Sequence, residues 1–509
     1  MKPSKAMSAD EAIRLIEDGD TVGLIGGGGG LCEATVLHQA VERRFLEAGA
    51  PRDLTCVHAL GIGDRDRRGM NCFAHKGLVK RVIGGHWVWS PRMQEMARNE
   101  DIEAYVLPGG VVMQLMREIA AGRPGLFTHV GLGTFVDPRQ EGGKLNARAR
   151  DDLVEVTEID GRELLRYRPF PIDIALLKGS VADLEGNISL DQEPANLDIY
   201  AMAAAAHNSG GKVIVQVREL TETGKLPARA VRVPGALVDA IVVDPEQRQS
   251  YDIVYDPALS GERRGVAPDI EPPVLDVRQV IARRAAMELR PGAVINYGFG
   301  IPDAVAALVA VRGETDLYYQ TIEHGTYGGE LLTGTLFGYA RNPTAMIDAP
   351  SQFDFYSGGG LDMAFLGFGE VDRSGNVNAS KLGGLTVGPG GFIDIAQTAK
   401  KVVFCGSFDA KGSTCQVQGG LLSIEAHGQV RKFVDQATQI TFSGAQAMTQ
   451  GQEILYITER AVFRLAGGEL RLEEIAPGVD LESDILGRMT FQPVVADDLR
   501  PMPRACFEP

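Results

Sequence analysis

The sequence predicts an α/β fold built from two similar halves, with a functional cleft between them. Three observations support this prediction. A set of segments recurs at a constant spacing, each half contains an apolar strand followed by a glycine turn and a helix, and a polar, proline-bearing stretch separates the halves. Because duplicated α/β halves often hold a ligand where they meet, we expect the active site in the cleft between them.

Three pairs of short segments carry the repeat. DIALL at position 173 matches DMAFL at 362, ADLEGNIS at 182 matches VDRSGNVN at 371, and KVIV at 212 matches KVVF at 401. The offset in numbering is the same in all three pairs (362 − 173 = 371 − 182 = 401 − 212 = 189). A further pair, around Gly30 and Gly300, aligns at a larger offset (300 − 30 = 270), so the first half carries an insertion between these blocks (270 − 189 = 81).

The boundary between the halves is predicted in the stretch SGERRGVAPDIEPP, residues 260–273. Its charged residues and prolines are typical of a linker, and a helical pattern resumes at Asp276. We therefore expect an N-terminal domain over residues 1–265 and a C-terminal domain over residues 275–509.

Composition excludes several classes of function. The 509 residues are 44% hydrophobic and 23% charged, with a net charge of −16, which argues against a general role on nucleic acids or membrane surfaces. We expect neither a membrane span nor a secretory leader, because no long apolar run is present and the first residues read as an amphipathic helix. The six cysteines and eight histidines lack the spacing of a metal site, so we expect no metal and a reducing, cytoplasmic location.

Glycine turns follow the predicted strands at three places. The run Gly26–Gly30 in the first half and the turn from Gly298 to Gly300 in the second can be read as ligand-contacting loops or as tight strand-to-helix turns. The run lacks the lysine of a phosphate-binding P-loop. A third turn, from Gly388 to Gly391, precedes another helix, and its backbone N–H groups are candidates for an oxyanion hole.

Glu323 is the candidate catalytic residue. It stands at the end of the predicted strand YYQTI, and glycines follow at 325, 328 and 329. Ligands of open α/β sheets bind at the carboxyl ends of strands, where Glu323 is expected to lie. An ordinary Glu pKa of about 4.3 would leave this carboxylate unprotonated at neutral pH and able to act as a nucleophile.

Several motifs together make the chain resemble the class I CoA-transferases in their fused, single-chain form. They are GLVKRVIGGH at 77, THVGLGTFVDPR at 128, FDFYSGGGLD at 353, GPGGFI at 388, ITFSG at 440 and YITERAVF at 456. The resemblance covers nearly the whole chain. It is strongest to the acetate, propionate and short-chain acyl-CoA:carboxylate transferases and more distant to succinyl-CoA:3-oxoacid CoA-transferase.

This resemblance implies a CoA-transferase fold and a ping-pong reaction. The family nucleophile is a Glu in an E-x-G motif, which Glu323 matches. In the family this Glu attacks an acyl-CoA thioester, forms a mixed anhydride and then carries CoA as a glutamyl thioester. The implied partners are an acyl-CoA and a carboxylate, with CoA as substrate and no permanently bound cofactor. The implied assembly is a homo-oligomer, a dimer or a tetramer. The candidate residues for binding CoA or substrate are Gly28, Gly29, Gly298, Gly300, Gly325 and Gln114.

The chain departs from the family at a Pro-Gln-Gly motif whose Gln amide helps to hold the oxyanion. Here the sequence reads Pro108-Gly109-Gly110. Three explanations for the missing Gln amide are open. The N–H of Gly109 or Gly110, together with the Gly390-Gly391 turn, binds the oxyanion; the side chain of Gln114 binds it; or the reaction has changed. Gly109 is also expected to make room for a bulky acyl group.

Three other functions stay open at this stage. A thioester hydrolase would result if water attacked the glutamyl thioester, and a lyase-type acyl-carrier transferase subunit would share the fold. A catalytically silent CoA-binding protein is the third alternative, made plausible by Gly109.

Overall fold

The computed structural model describes residues 4–266 and 273–508. The predicted join lies partly outside the described residues, as do the start of the first predicted domain and the last residue of the second. The structure confirms an α/β fold with two large sheets. All strands of the first large sheet lie before residue 244, and all strands of the second lie from residue 294 onward.

The first sheet has seven strands, all parallel. Its central strand Ile174–Lys178 is buried along its whole length, as expected when both faces of a parallel sheet are covered. In spatial order the strands are Ala240–Val243, Lys212–Val217, Ile174–Lys178, Thr21–Leu24, Leu54–His58, Val79–Gly84 and Glu103–Val106.

The second sheet has ten strands, and the five at its centre, from Tyr319–Ile322 to Glu453–Ile457, are parallel. In spatial order the strands are Ala345–Met346, Thr326–Tyr327, Tyr319–Ile322, Val294–Tyr297, Met363–Gly367, Lys401–Cys405, Glu453–Ile457, Ala461–Ala466, Glu469–Ile475 and Val494–Pro501.

Helices and short strands connect and cover these sheets. The α-helices of the described residues are Ala9–Ala12, Thr35–Ala48, Pro91–Arg98, Gly109–Ala120, Ile199–Asn208, Pro257–Ser260, Val277–Ala286, Asp303–Val311, Ala349–Phe355, Phe392–Thr398 and Gly444–Gln450. The strands outside the two large sheets are Leu126–Thr128, Val154–Ile159, Arg162–Tyr167, Val181–Asp183, Ile188–Ser189, Glu219–Thr221, Val231–Val233, Glu330–Leu331, Ala340–Arg341, Glu370–Asp372, Val377–Asn378, Lys381–Leu382, Leu385–Thr386, Asp409–Ala410, Thr414–Gln418, Leu421–Ala426, Val430–Arg431 and Phe433–Val434.

The repeat read from the sequence is present as repeated contacts. The Asp173 carboxylate accepts the Thr21 N–H at 2.8 Å, and its repeat equivalent Asp362 accepts the Val294 N–H at 3.0 Å. Each contact fixes the start of one central strand to the start of its neighbour. The two sheets therefore share one local design, as the constant offset predicts.

The turns that follow these strands are repeated as well. Asn187 donates to the Asp183 carboxylate at 2.9 Å, and Asn376 donates to Asp372 at the same distance. Each Asn side-chain oxygen also accepts a backbone N–H at 2.9 Å from a distant glycine. The matching residues therefore hold matching turns in both halves.

A buried apolar cluster joins the two halves of the molecule close to Glu323. It contains Val111 and Met113 of the helix Gly109–Ala120, together with Phe353 and Ile393 from the second half. Apolar area removed from water stabilises this contact by about 25 cal/mol per Å². The packing fixes the starts of two helices, one from each half, close to Glu323.

Candidate active site

Glu323 follows directly on the strand Tyr319–Ile322, at the carboxyl end of the parallel part of the second sheet. Its side chain is partly buried, and its carboxylate lies over the backbone of Gly391. A Cβ placed on Gly391 would lie only 2.7 Å from Oε2 of Glu323. The structure thus brings together Glu323 and the third glycine turn, which the sequence predicts separately.

The environment of Glu323 differs from that of an ordinary carboxyl. Burial raises the pKa of Glu323 to about 7, and a hydrogen bond from the Gly391 backbone N–H partly offsets that rise. The expectation of an unshifted pKa near 4.3 is therefore wrong, because the sequence gives no measure of how far the cleft excludes water. A poorly solvated carboxylate is a stronger nucleophile than one in bulk water, and near neutral pH a substantial fraction is ionised.

His324 ties the nucleophile turn to the segment that covers it. The Nε2–H of His324 donates to the Gly338 carbonyl at 2.6 Å, and the side chain is 3% exposed. Burial lowers the pKa of His324 to about 4, so the ring is neutral at physiological pH. The segment 330–339 also reaches the first half, where Thr335 donates to Asp252 at 3.1 Å.

Gly325 is explained by packing of the protein on itself. Its φ is +105°, a region open mainly to glycine, and a Cβ there would overlap the Ile347 carbonyl. Gly328 and Gly329 likewise press against Thr344 and Arg341. These glycines make room for the neighbouring strand, and contact between Gly325 and substrate stays a prediction.

The two glycine turns nearest Glu323 are hydrogen-bonded to each other across the cleft. The Gly390 N–H donates to the Gly85 carbonyl at 2.8 Å, and the Gly109 N–H donates to the Gly390 carbonyl at 2.6 Å. A Cβ on Gly109 would lie 3.0 Å from the Ala59 carbonyl oxygen. The backbones of the two halves therefore approach as closely as glycine allows. We call this contact, between Gly85 and Gly109 of the first half and Gly390 of the second, the glycine seam.

The seam corrects two expectations about the family's missing Gln. The N–H groups of Gly109 and Gly110 are not free to bind an oxyanion, since Gly109 donates to Gly390 and Gly110 donates to Asp394 at 3.2 Å. The space beside Gly109 is filled by Ala59 and Gly390, so it is not a vacant pocket for a bulky acyl group.

The third candidate, Gln114, is engaged elsewhere. Its amide donates to the Asp354 carboxylate at 2.8 Å, and Arg117 binds the same carboxylate. The structure therefore gives Gln114 a role in joining the two halves rather than in holding an oxyanion.

The glycine run of the first half is packed against protein groups. A Cβ on Gly28 would overlap the Trp89 indole, and one on Gly29 would overlap the Thr335 carbonyl. The Gly29 carbonyl accepts the Tyr251 N–H at 2.8 Å. Gly29 thus supports the segment 330–339 and Gly28 packs on Trp89, while direct contact of either glycine with CoA stays a prediction.

The equivalent turn of the second half is more open. Among the described residues other than its chain neighbours, no heavy atom lies within 4 Å of a Cβ built on Gly300, whereas a Cβ on Gly298 would contact Leu366 at 3.2 Å. Between them Phe299 is 54% exposed and packs edge-on against Phe337 at 5.2 Å between ring centroids. This turn offers an exposed apolar surface at the end of the strand beside that of Glu323.

Asp394 is a functional candidate that sequence reasoning misses. It lies on the helix that follows Gly391, is 1% exposed, and feels the charge of Glu323. The available sequence signal is an acidic residue inside the apolar run FIDIA. Such residues are rarely buried unless they are paired or functional.

Neither a metal-binding cluster nor a membrane-spanning helix is found among the residues that the structure describes. Within residues 4–266 and 273–508, no three His, Cys, Asp or Glu side chains are arranged to hold a metal ion. Over the same ranges, none of the helices combines the length and apolar character needed to cross a bilayer.

Comparison with known proteins gives consistent matches. A family model described as coenzyme A transferase matches residues 6–244. Acetate CoA-transferase YdiF of Escherichia coli (strain K12) is 42% identical over 508 residues, covering 98% of this chain and 94% of that protein. Caffeate CoA-transferase of Acetobacterium woodii is 44% identical over 515 residues, covering 99% and 97%.

Solved structures agree with these sequence matches. The acyl-CoA transferase YdiF apoenzyme from Escherichia coli O157:H7 superimposes with a TM-score of 0.95 at 42% identity, covering 99% of this chain and 96% of that one. A thioester complex of YdiF with CoA superimposes with a TM-score of 0.93.

Proposed function

Because this chain belongs to the coenzyme A transferase family, we propose that Glu323 is the nucleophile that carries CoA between an acyl-CoA donor and a carboxylate acceptor. The observation that carries this proposal is the position of the Glu323 carboxylate. It lies at a strand end, partly buried, with the Gly391 N–H bound to it and the glycine seam beside it.

The first half-reaction has two steps. A Glu323 oxygen attacks the acyl carbonyl carbon of the thioester, and the carbon–sulfur bond breaks to give a mixed anhydride and CoA thiolate. The thiolate then attacks Cδ of Glu323, and the bond from Cδ to the bridging oxygen breaks. The products are a carboxylate and glutamyl-CoA, and no proton is consumed. The second half-reaction runs these steps in reverse with a different carboxylate.

Removal of Glu323 from water serves this chemistry in two ways. Burial raises the free energy of the ionised carboxylate, as its raised pKa indicates. This free energy is released when the negative charge moves from Glu323 onto the leaving group. Burial also limits hydrolysis of the anhydride and thioester intermediates. The Gly391 N–H supplies one hydrogen bond to the oxygen on which negative charge develops.

A short-chain acyl-CoA is the proposed donor. The relatives named above are an acetate and a caffeate CoA-transferase, so the fold accepts both a small aliphatic and an aromatic acid in those proteins. The filled space beside Gly109 favours the smaller acid for this chain. The exposed surface of Phe299 and Phe337 is the proposed contact for the apolar arm of CoA.

The organisation around this site is also proposed. Sheet membership supports domains over residues 1–265 and 275–509, with the active-site cleft between them. All six cysteines are free thiols, which supports a reducing, cytoplasmic location. The homo-oligomer implied by the family is testable by light scattering.

The test of this function is detection of the covalent intermediate. Enzyme incubated with acetyl-CoA should gain the mass of CoA, borohydride should convert the modified side chain to an alcohol, and peptide mapping should locate the change at residue 323. Glu323→Gln should form no adduct, because an amide is not a nucleophile. Glu314→Gln, a partly exposed Glu before the same strand, is the matched control and should react like the wild type.

Steady-state kinetics separate the remaining alternatives. A covalent relay gives parallel double-reciprocal lines for donor and acceptor. New acyl-CoA formed only when a carboxylate is added identifies a transferase, and release of free CoA without acceptor identifies a hydrolase. Full activity of Glu323→Gln would end the proposal.

A further inference from the structure

The site is one hydrogen-bond donor short. The Gly109 N–H is bonded to Gly390, the Gly110 N–H to Asp394, and the Gln114 amide to Asp354. Of the candidate donors, the Gly391 N–H is the one directed at Glu323. With a single donor for the tetrahedral oxyanion, the reaction would be about 10²–10³-fold slower, the typical effect of removing one oxyanion-hole donor.

Asp394 has one buried carboxyl oxygen without a hydrogen-bond partner among the described residues. Its Oδ2 accepts the Gly110 N–H at 3.2 Å, whereas its Oδ1 is buried and has no hydrogen-bond partner among the described residues. Oδ1 faces the start of the helix Gly109–Ala120, since a Cβ on Gly110 would lie 2.6 Å from it. Asp394 stands three positions after Gly391, the N-cap residue of the helix Phe392–Thr398, so the two residues lie within one helical turn of each other.

The surroundings of Asp394 favour its neutral form. Burial and the charge of Glu323 raise the pKa of the Asp394 carboxyl well above its usual range, and backbone N–H groups such as that of Gly110 offset only part of the rise. Other titratable groups near the pair are also uncharged: Tyr167 and Tyr356 have raised pKa values, and burial lowers the pKa values of His86 and His324 to about 4. No cation forms an ion pair with Asp394 within the part of the chain described by the structure. Two carboxylates in one dry cleft cannot both ionise cheaply, so one of them keeps its proton.

We propose that Asp394 is a catalytic residue that stays protonated and donates a hydrogen bond from Oδ1 to the oxyanion formed at Glu323. The inference rests on the proposed function of Glu323. When CoA thiolate attacks Cδ of the anhydride, the carbonyl electron pair moves onto oxygen. That oxygen receives hydrogen bonds from the Gly391 N–H and the Asp394 O–H. When the intermediate collapses, the pair returns and Asp394 retains its proton.

This role accounts for both oxygens of Asp394. Oδ2 holds the start of the helix Gly109–Ala120 by accepting the Gly110 N–H, while Oδ1–H lacks a partner among the described residues until charge develops beside it. A buried, neutral carboxylic acid is a strong hydrogen-bond donor to an oxyanion. The acid thereby replaces the amide that Gly109 does not supply.

The test compares two substitutions in single-turnover formation of the glutamyl-CoA adduct, measured by intact mass after rapid quenching with acid. Asp394→Asn keeps an acceptor for Gly110 and a neutral N–H donor, so its rate should stay within about tenfold of the wild type, whereas Asp394→Ala should fall by about 10²–10³-fold. Asp198→Asn is the matched control and should react like the wild type, because burial raises the pKa of Asp198 but Glu323 is not among its causes.

A purely structural role predicts a different pattern. If Asp394→Ala lowers Tm but its folded fraction reacts at the wild-type rate, the proposal is wrong. It is also wrong if Asp394→Asn is as slow as Asp394→Ala, since a carboxylate charge would then be required. Should Asp394→Ala not fold, Asp394→Cys fills the space with a poor donor and should show the same loss. Absence of the adduct in the wild type would instead reject the proposed function of Glu323.

Discussion

The Gly109 N–H donates a 2.6 Å hydrogen bond to the Gly390 carbonyl, and this bond places the two halves of the molecule in close contact beside Glu323. Gly390 completes the contact by donating to Gly85 at 2.8 Å. The glycines around the nucleophile therefore serve assembly of the cleft more than they serve direct binding of substrate. A Cβ at Gly109 would press on Gly390 of the other half at 3.0 Å.

Glycine-to-alanine substitutions in and beside the glycine seam should destabilise the fold, and the loss should be larger where less space is available for the added Cβ. A Cβ at Gly110 would overlap Phe353 and approach Asp394 Oδ1 to 2.6 Å, whereas a Cβ at Gly109 has its nearest contacts at 3.0 Å. We expect Gly110→Ala to cost about 1–3 kcal/mol of unfolding free energy, the usual range for overpacking, and Gly109→Ala to cost less. Gly358→Ala, with open space around its Cβ among the described residues, should be nearly neutral. Urea unfolding would measure all three, and equal losses would contradict the packing argument.

The sequence could predict the nucleophile and the glycine turns because each lies within one local pattern. Glu323 ends a strand and Gly391 precedes a helix, and both signals span only a few positions. The pairing of Gly109 with Gly390 could not be predicted, since it depends on how two sheets pack. Asp394 escapes sequence prediction for the same reason: it is distant from Glu323 along the chain and becomes a site residue only through burial.

The rate of adduct formation should rise with pH through about 7. Burial raises the pKa of Glu323 to about 7, so the protonated, unreactive form persists to higher pH than for an ordinary Glu. Below this pKa the rate should fall about tenfold for each unit by which the pH is lowered, because protonated Glu323 is not a nucleophile. Single-turnover rates from about pH 5.5 to 8.5 would measure this. An ordinary carboxyl of pKa about 4.3 would give a flat profile over that range.

Removal of the His324 side chain should loosen the segment 330–339. Its Nε2–H donates to the Gly338 carbonyl, and burial lowers the pKa of the ring to about 4, so the bond should persist unchanged from about pH 5.5 to 8. In His324→Ala we expect faster amide hydrogen exchange in this segment and a raised KM for acyl-CoA. His207→Ala, on an exposed helix face, is the control. Unchanged exchange in His324→Ala would show that other contacts hold the segment.

Gly391→Ala should disable the nucleophile while leaving the fold intact. The φ of Gly391 is −84°, which alanine adopts without strain, but the new Cβ would lie 2.7 Å from Glu323 Oε2. The end of a flexible side chain can move aside, so the carboxylate should shift, and a displacement of about 1 Å can cost about 10²-fold in rate. We expect adduct formation to slow by that order, with Tm close to the wild type.

Gly390→Ala is the matched control for this substitution and should give the opposite result. A Cβ at Gly390 makes only an ordinary contact with His86 at 3.7 Å, but its φ of +53° is unfavourable for alanine. The cost should therefore appear as a lower Tm, at about 1–2 kcal/mol, with adduct formation per folded enzyme largely retained. Equal rates for the two variants would mean that the Glu323 carboxylate does not rest on Gly391 during the reaction. A loss of Tm in Gly391→Ala as large as that in Gly390→Ala would mean that the carboxylate cannot move, and that the turn, rather than the side chain, absorbs the added methyl group.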